Sequence, residues 1–477
     1  MGDALRHVHF VAICGTGMGS LAGLLHARGI RVTGSDEGLY PPMSTALAGW
    51  GIPIVEGFRA ENVTDHAPDL VVVGNAVRAD NPEARAALDE GFRVLSFPDA
   101  LHELAIAGRH SVVVAGTHGK TTTTALLGSL LVATGRDPSL LVGGYCQDFG
   151  GSFREGDGEH FIVEGDEYDT VFFDKTPKFL HYGARTAVIT SVEFDHADIY
   201  RDLEHVKEAF CALVAGMPSD GTLVAAVDHD TVRDVIRDAP CRVVGYGLGD
   251  AGSPRWRGSE IDVTEEGTAF RVADADGGAW DVRVPLFGDF NAENALAALA
   301  TAEVLGVVPA DAVAALARFG GVKRRQEVRG EESGVLVIDD FAHHPTAVRG
   351  TVDAVRARHP GRRLVAVFEP RTNTSRRAVF QARYAECFDA ADRVVVAALP
   401  EGEIYSATGA VTERFSVDRL VDDLRERGVE ADSPGGVEEI VADLGRTSVS
   451  GDVVLVMSNG AFGNIWERLL EALRSRP

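Results

Sequence analysis

The stretch SVVVAGTHGKTTTT, residues 111–124, decides the fold. Val112, Val113 and Val114 are consecutive β-branched residues, as expected of a strand buried on both faces of a parallel sheet. Gly116-Thr117-His118-Gly119 makes a small turn, and Lys120 opens a segment that runs on as a helix. A glycine turn between strand and helix lets backbone N–H groups approach an anion, and the helix N-terminus adds partial positive charge. Lys120 is placed to reach terminal phosphates, and the Thr121 hydroxyl to meet Mg2+. Gly116, Thr117, His118, Gly119, Lys120, Thr121 and Thr122 are therefore the expected ATP cradle. Val114 stands where the longer GxxxxGK[ST] pattern has its first glycine, so a tight turn that holds no nucleotide is the competing reading.

Toward the N-terminus, residues 7–36 read as strand 7–13, the turn Cys14-Gly15-Thr16-Gly17-Met18-Gly19, an apolar helix 20–28 and strand 31–35. Asp36 then stands where a dinucleotide-binding unit holds a ribose. Ser20 replaces the third glycine of GxGxxG, so both an NAD site and a turn kept for packing remain open. A second strand–helix pair follows at 70–74 and 82–90, and a first domain closes near Arg109.

Toward the C-terminus, strand 161–164 breaks into Gly165-Asp166-Glu167-Tyr168-Asp169. Glu164, at a strand end beside a phosphate loop, suits Mg2+, whereas Asp166, Glu167 and Asp169 read equally well as a solvated turn. Strand 186–191 ends in Val192-Glu193-Phe194-Asp195-His196-Ala197-Asp198, and a histidine among carboxylates points to metal or phosphate, with a hydrogen-bonded structural histidine as the competing reading. Residues 222–285 read as a β-rich edge of short strands. Asn291 and Asn294 open a helix, where they either cap it or meet a nucleobase edge. Lys323-Arg324-Arg325, a rare basic cluster, is a linker or a phosphate clamp. A third α/β segment follows, with strands at 335–340, 364–368, 393–397 and 452–457, each with polar residues at its end.

The 477 residues call for two to four domains, and the formal net charge of -25 argues against nucleic-acid or anionic-membrane partners. Five cysteines without CxxC spacing, a short N-terminal apolar run and no long apolar stretch lead to the expectation of a cytoplasmic enzyme. The sequence leaves the oligomeric state undecided.

Taken together, these separated motifs resemble the Mur ligase family, the ATP-dependent amide-forming enzymes of peptidoglycan precursor metabolism, over nearly the whole chain. The motifs are the Gly15-Thr16-Gly17-Met18 turn, the Thr117-to-Thr121 loop, Glu164, His196, the two asparagines, the arginine pair and Asp339-Asp340-Phe341-Ala342-His343-His344-Pro345. The resemblance implies three α/β domains. They are a Rossmann-like UDP-substrate domain (1–109), a central P-loop ATPase-like domain (110–322) and a C-terminal Rossmann-like domain for the amino substrate (323–477). It implies UDP around Gly15, Thr16, Gly17, Met18, Ser35, Asp36 and Asn75, which displaces NAD. It also implies ATP at the cradle with Asn291, Asn294, Arg325 and Asp340, metal at Thr121, Glu164 and His196, and catalysis by Lys120, His196 and His344. Within the family the chain looks like the branch that acts on UDP-N-acetylmuramate. The acceptor there is the tripeptide L-alanyl-γ-D-glutamyl-meso-diaminopimelate or, alternatively, L-alanine. Arg371, Arg376 and Arg377, with Asn373, Ser458 and Asn459, are expected to hold the acceptor, guanidinium matching its carboxylates. Two departures stand out. The position of the carbamylated lysine of several members falls on Phe210, one turn from Lys207, and Phe290 replaces a frequent histidine before Asn291.

Overall fold

In the computed structural model, residues 5–39, 43–409, 411 and 413–476 are described. The chain falls into two compact units, one of Met1–Val192, Lys207–Trp256 and Leu296–Phe319, the other of Glu193–Val206, Arg257–Ala295 and Gly320–Pro477.

The first unit holds two parallel sheets. Its N-terminal sheet runs Ile54–Glu56, Arg31–Asp36, His7–Val11, Leu70–Val73, Val94–Ser96. The strand order reverses direction between His7–Val11 and Leu70–Val73, and in such sheets the crevice beyond the strand C-termini at that point receives ligands. The glycine turn and Asn75 follow these two strands. The helix after the turn begins at Thr16, with Gly15 as N-cap, not at residue 20. Glycines inside it serve close packing: a Cβ on Gly19 would lie 2.2 Å from Met43 Sδ, and one on Gly23 would lie 2.6 Å from both Phe153 and Trp50.

The second sheet of this unit is ordered Arg242–Gly247, Thr222–Ala226, Thr186–Ile189, His110–Ala115, His160–Gly165, Ser139–Cys146, Gly151–Arg154, with only the last pair antiparallel. Strand His110–Ala115 is buried from Ser111 onward, as the valine run demands, and helix Lys120–Ala133 starts where the sequence places it. The β-rich reading of 222–285 holds, with five strands there, but it missed one helix. Its first two strands are parallel members of this sheet, joined through helix Asp230–Ile236, whose seven residues are too few to show a helical period in sequence.

In the second unit, Gly267–Asp274 and Ala279–Val284 form an antiparallel pair. The C-terminal sheet is ordered Glu327–Glu332, Val335–Asp340, Val453–Met457, Leu364–Phe368, Arg393–Val396, Glu430–Asp432, parallel except for the first pair. Helices cover both faces, one core gathering Val348, Val352, Tyr384 and Leu420, the other Ile440, Leu444, Trp466 and Leu469. The three α/β layers expected from the sequence are thus present. Among the described residues no helix is long and apolar enough to cross a membrane.

Candidate active site

In the first unit the phosphate loop is shaped by two glycines in the left-handed region, Gly116 at φ 140° and Gly119 at φ 80°. A Cβ on Gly116 would stand 2.0 Å from Thr190 Oγ1 and 3.0 Å from the Ser191 N atom, so the turn admits no side chain there. The loop is fastened to the neighbouring strand end: the Thr117 N–H donates to the Ser191 carbonyl (3.0 Å) and the His118 N–H to Ser191 Oγ (2.9 Å).

Lys120 Nζ donates to the Gly116 carbonyl (2.6 Å) and to Glu167 Oε2 (2.8 Å), and Thr121 Oγ1 donates to Glu164 Oε1 (2.8 Å). The second Glu164 oxygen accepts from the Gly143 N–H (2.7 Å). Burial works against the Lys120 charge, but Glu167, Asp166 and Glu164 outweigh it and hold the ammonium above its ordinary range. Burial, with Asp166 nearby, raises the Glu164 carboxyl against the pull of Lys120. Glu167 is buried and paired, and so is no solvated turn residue. Thr122 is buried in the first turn of the helix.

Oxygen donors on Thr121 and Glu164, next to a crowd of carboxylates, suit a hard divalent cation such as Mg2+, which would relieve their mutual repulsion. Phe210 is fully buried against Phe179 (ring centroids 5.3 Å apart), and Lys207 Nζ pairs with Asp234 (2.9 Å). The position expected from the sequence for a carbamylated lysine is therefore a dry aromatic contact.

A lysine that sequence reading passed over also reaches this patch. Lys178 Nζ lies 3.4 Å from Asp166 Oδ2 and 4.1 Å from the Tyr168 ring centroid. No local pattern announces it, because the contact depends on the strand pair Asp169–Val171 and Asp174–Pro177 folding back.

At the N-terminal sheet, Gly15 and Thr16 are exposed at the helix start, Gly17 faces the Phe97 ring, and Met18 is buried. Asp36 accepts from the Cys14 N–H (2.8 Å) and the Gly38 N–H (3.2 Å), so its carboxylate braces the turn. The Ser35 hydroxyl donates to both oxygens of Glu83 (2.7 and 2.8 Å). Asn75 is exposed.

In the second unit His196 sits in the left-handed region (φ 49°), its N–H donating to Asp195 Oδ1 (2.7 Å). Burial would raise the Asp195 carboxyl, yet His196, His343 and His344 together hold it well below the carboxylate range. His344 Nδ1 accepts from the Thr346 N–H (3.3 Å), which puts the ring proton on Nε2, facing the Phe194 carbonyl at 3.2 Å. His344 thus caps the helix Pro345–Arg358 and ties down the His196 segment.

That segment is held from its other side by residues expected at the acceptor. Ala197 N–H donates to Thr374 Oγ1 (3.0 Å), Arg377 donates to the Ala197 carbonyl (2.9 Å), and Asn373 donates to Asp198 (3.2 Å). Arg376 is buried and donates to Asn373 Oδ1 (3.2 Å) and the Glu403 carbonyl (2.9 Å). Arg371, by contrast, is exposed and lies over Gly460, where a Cβ would be 1.7 Å from its Nη1. Ser458 donates to Glu369, and Asn459 Oδ1 is buried without a hydrogen bond.

Asn291 and Asn294 form a chain: Asn294 Nδ2 donates to Asn291 Oδ1 (3.1 Å), and Asn291 Nδ2 donates to the Phe287 carbonyl (2.9 Å). The helix spans Asp289–Val304, so neither residue caps it. Gln326, overlooked in the sequence, links this pair to Asp340: its Nε2 donates to the same Phe287 carbonyl (3.2 Å) and its N–H to Asp340 Oδ2 (2.8 Å). Burial raises the Asp340 carboxyl against Arg325, whose guanidinium is 4.9 Å from the Phe341 ring centroid.

Burial, against the pull of Arg324 and with Asp340 adding to it, pushes the neighbouring Asp339 up to about 6 from 3.8. The folded form therefore holds a proton that the unfolded form has released between those values, and stability falls as pH rises through that window. Relative to wild type, Asp339→Asn should be favoured by on the order of 2–3 kcal/mol at pH 7–8, and the difference should shrink toward pH 4. Urea unfolding of both proteins across that range checks it; a pH-independent difference would refute it.

The geometry can be set beside known proteins. Family models match the chain in three pieces, the Mur ligase family catalytic domain over residues 7–109, the Mur ligase middle domain over 114–302 and the Mur ligase glutamate ligase domain over 324–460. The UDP-N-acetylmuramate--L-alanyl-gamma-D-glutamyl-meso-2,6-diaminoheptandioate ligase of Escherichia coli (strain K12) is 36% identical over 98% of each chain. The UDP-N-acetylmuramate--L-alanine ligase of Agathobacter rectalis is 33% identical over 98% of each chain. The crystal structure of a murein peptide ligase from Psychrobacter arcticus superposes with a TM-score of 0.75 at 34% identity, covering 99% of both chains. With all three sheets matched and full-length relatives at this identity, the chain belongs to the Mur ligase family.

Proposed function

We propose that the protein is an ATP-dependent C–N ligase that joins L-alanyl-γ-D-glutamyl-meso-diaminopimelate to the lactyl carboxylate of UDP-N-acetylmuramate. The observation that carries the reading is the 36% identity to the E. coli enzyme of that name, sustained along 98% of both chains. In this reading residues 1–109 bind the UDP-sugar, 110–322 ATP and 323–477 the peptide.

An amine cannot displace oxygen from a free carboxylate, so the lactyl carboxylate first takes the γ-phosphoryl group of ATP. One C–O–P linkage forms, the bond to ADP breaks, and the peptide amine then attacks the acyl carbon and expels phosphate. Lys120 moves from Glu167 to the terminal phosphates and offsets the charge that spreads over the transferring group. Thr121 and Glu164 would hold Mg2+, which would supply charge neutralisation at the phosphates; His196, in the other unit, is a further metal-ligand candidate. Asp195 keeps His196 oriented through the residue's own N–H. Asn291 and Asn294 would offer amides to adenine, with Arg325 and Asp340 beside them. Of the three acceptor arginines, Arg371 is the exposed one, and we assign it to a peptide carboxylate; Arg376 and Arg377 shape the segment around it.

Phosphate release with ATP, Mg2+ and UDP-N-acetylmuramate, offered the tripeptide or L-alanine in parallel, tests the assignment. The expected result is release that depends on the tripeptide and a kcat/KM for it at least about tenfold above that for L-alanine, the equivalent of one well-made polar contact. Preference for L-alanine would move the protein to the other branch, and release without any acceptor would refute a ligase.

A further inference from the structure

A lysine ammonium carries three N–H donors. Among the described residues, that of Lys178 has one hydrogen-bond partner, Asp166 Oδ2 at the long distance of 3.4 Å, and its side chain is only 8% exposed. Two aromatic faces complete its surroundings, Tyr168 with its centroid at 4.1 Å and Phe97 at 5.6 Å. Aromatic faces attract a cation but do not accept its hydrogens as an oxygen does, so the buried group keeps donor capacity for an anionic oxygen.

Its location narrows what that anion is. Phe97 opens the helix Phe97–Leu101, and its ring also lies 3.0 Å from where a Cβ on Gly17 would stand. One ring therefore touches both the glycine turn of the N-terminal sheet and Lys178. On the other side Asp166 follows Glu164, whose carboxylate meets Thr121 beside Lys120. Lys178 stands between the place proposed for the UDP group and the place proposed for the ATP phosphates. A substrate that spans these two must lay its carboxylate between them.

Resting on the function proposed above, we infer that Lys178 binds the lactyl carboxylate of UDP-N-acetylmuramate and holds it for phosphoryl transfer. Asp166 is a loosely held internal stand-in that the substrate carboxylate displaces. Tyr168 and Phe97 fix the lysine stem so that its ammonium points at the substrate. Pairing with an ammonium steadies one carboxylate oxygen and leaves the other to attack.

The test is steady-state phosphate release by the full-length protein with Lys178→Met, which keeps the unbranched apolar stem against the rings and removes the ammonium. KM for UDP-N-acetylmuramate should rise about ten- to hundredfold, the loss expected for one charge-assisted hydrogen bond. KM for ATP should stay within about twofold. The inhibition constant of UDP-N-acetylglucosamine, which lacks the lactyl group, should equal that of wild type. Equal weakening of both UDP-sugars would assign Lys178 to the diphosphate and overturn the inference. An unchanged KM for UDP-N-acetylmuramate would overturn it too, as would parallel loss of ATP use and thermal stability, the mark of a mere counter-ion to Asp166. Lys178→Arg guards against a folding failure: it keeps the charge, and should retain turnover with a KM for the UDP-sugar shifted several-fold. Wild-type protein that releases no phosphate with UDP-N-acetylmuramate would instead refute the proposed function, a result separate from any behaviour of the variants.

Discussion

Lys120→Met is expected to lower kcat for phosphate release by at least about 10³-fold, because water cannot replace an ammonium that, on the proposed mechanism, offsets the charge of the transferring phosphoryl group. The interpretation must be separated from folding. Lys120 is buried beside Glu167, and removing one partner of such a pair leaves an uncompensated carboxylate, itself destabilising by several kcal/mol. Lys120→Met with Glu167→Gln removes both charges. The double variant should regain most of the stability in urea and none of the turnover. Turnover in either variant within about tenfold of wild type would remove Lys120 from the chemistry.

The second large effect is on stability. Glu83 is fully buried in the first turn of helix Pro82–Asp89, where its side chain accepts from His9 Nε2, from Ser35 Oγ and from Asn62 Nδ2 at 2.9 Å. These donors come from the central strand of the N-terminal sheet, from its neighbour Arg31–Asp36 and from the helix Glu61–Thr64, and all three residues are buried. Glu83→Ala strands three donors at once, at roughly 1–3 kcal/mol each before relaxation. The N-terminal domain should lose about 3–5 kcal/mol of unfolding free energy in urea, and Glu83→Gln, which retains one acceptor oxygen, should lose less. A cost below about 1 kcal/mol for the alanine variant would mean that water replaces the carboxyl. Because Ser35 and Asp36 end one of those strands, affinity for the UDP-sugar should fall with it.

What could be read from the sequence follows from how local each feature is. The valine strand and the helix beginning at Lys120 were legible because β-branching, glycine and a helix start act over a few residues. The start at Thr16 was not, since Gly17, Gly19 and Gly23 look like loop residues until Met43, Trp50 and Phe153 are packed against them. Helix Asp230–Ile236 was hidden by its length. That Glu164, Thr121 and Lys120 come together was readable from strand-end and loop patterns. The long-range partners were not: Glu167 meets Lys120 across 47 positions, and in the other unit Gln326 meets the Phe287 carbonyl across 39. Those pairings belong to the tertiary fold. His344 illustrates a related limit: its motif pointed to chemistry, and only the fold shows that its ring nitrogens also cap a helix and face the Phe194 carbonyl.

The contact between Glu167 and Lys120 also gives the loop a threshold. A carboxylate tethered 2.8 Å from the ammonium competes with every incoming anion at the high effective concentration of a neighbour on the same chain. Orthophosphate or a stray carboxylate offers little more than the tether already provides, and so displaces it poorly. A nucleoside triphosphate brings several charges to the backbone N–H groups and to Lys120 at once. On the proposed assignment of this loop to ATP, the concentration at which an anion engages Lys120 is thus set by a rival that never diffuses away.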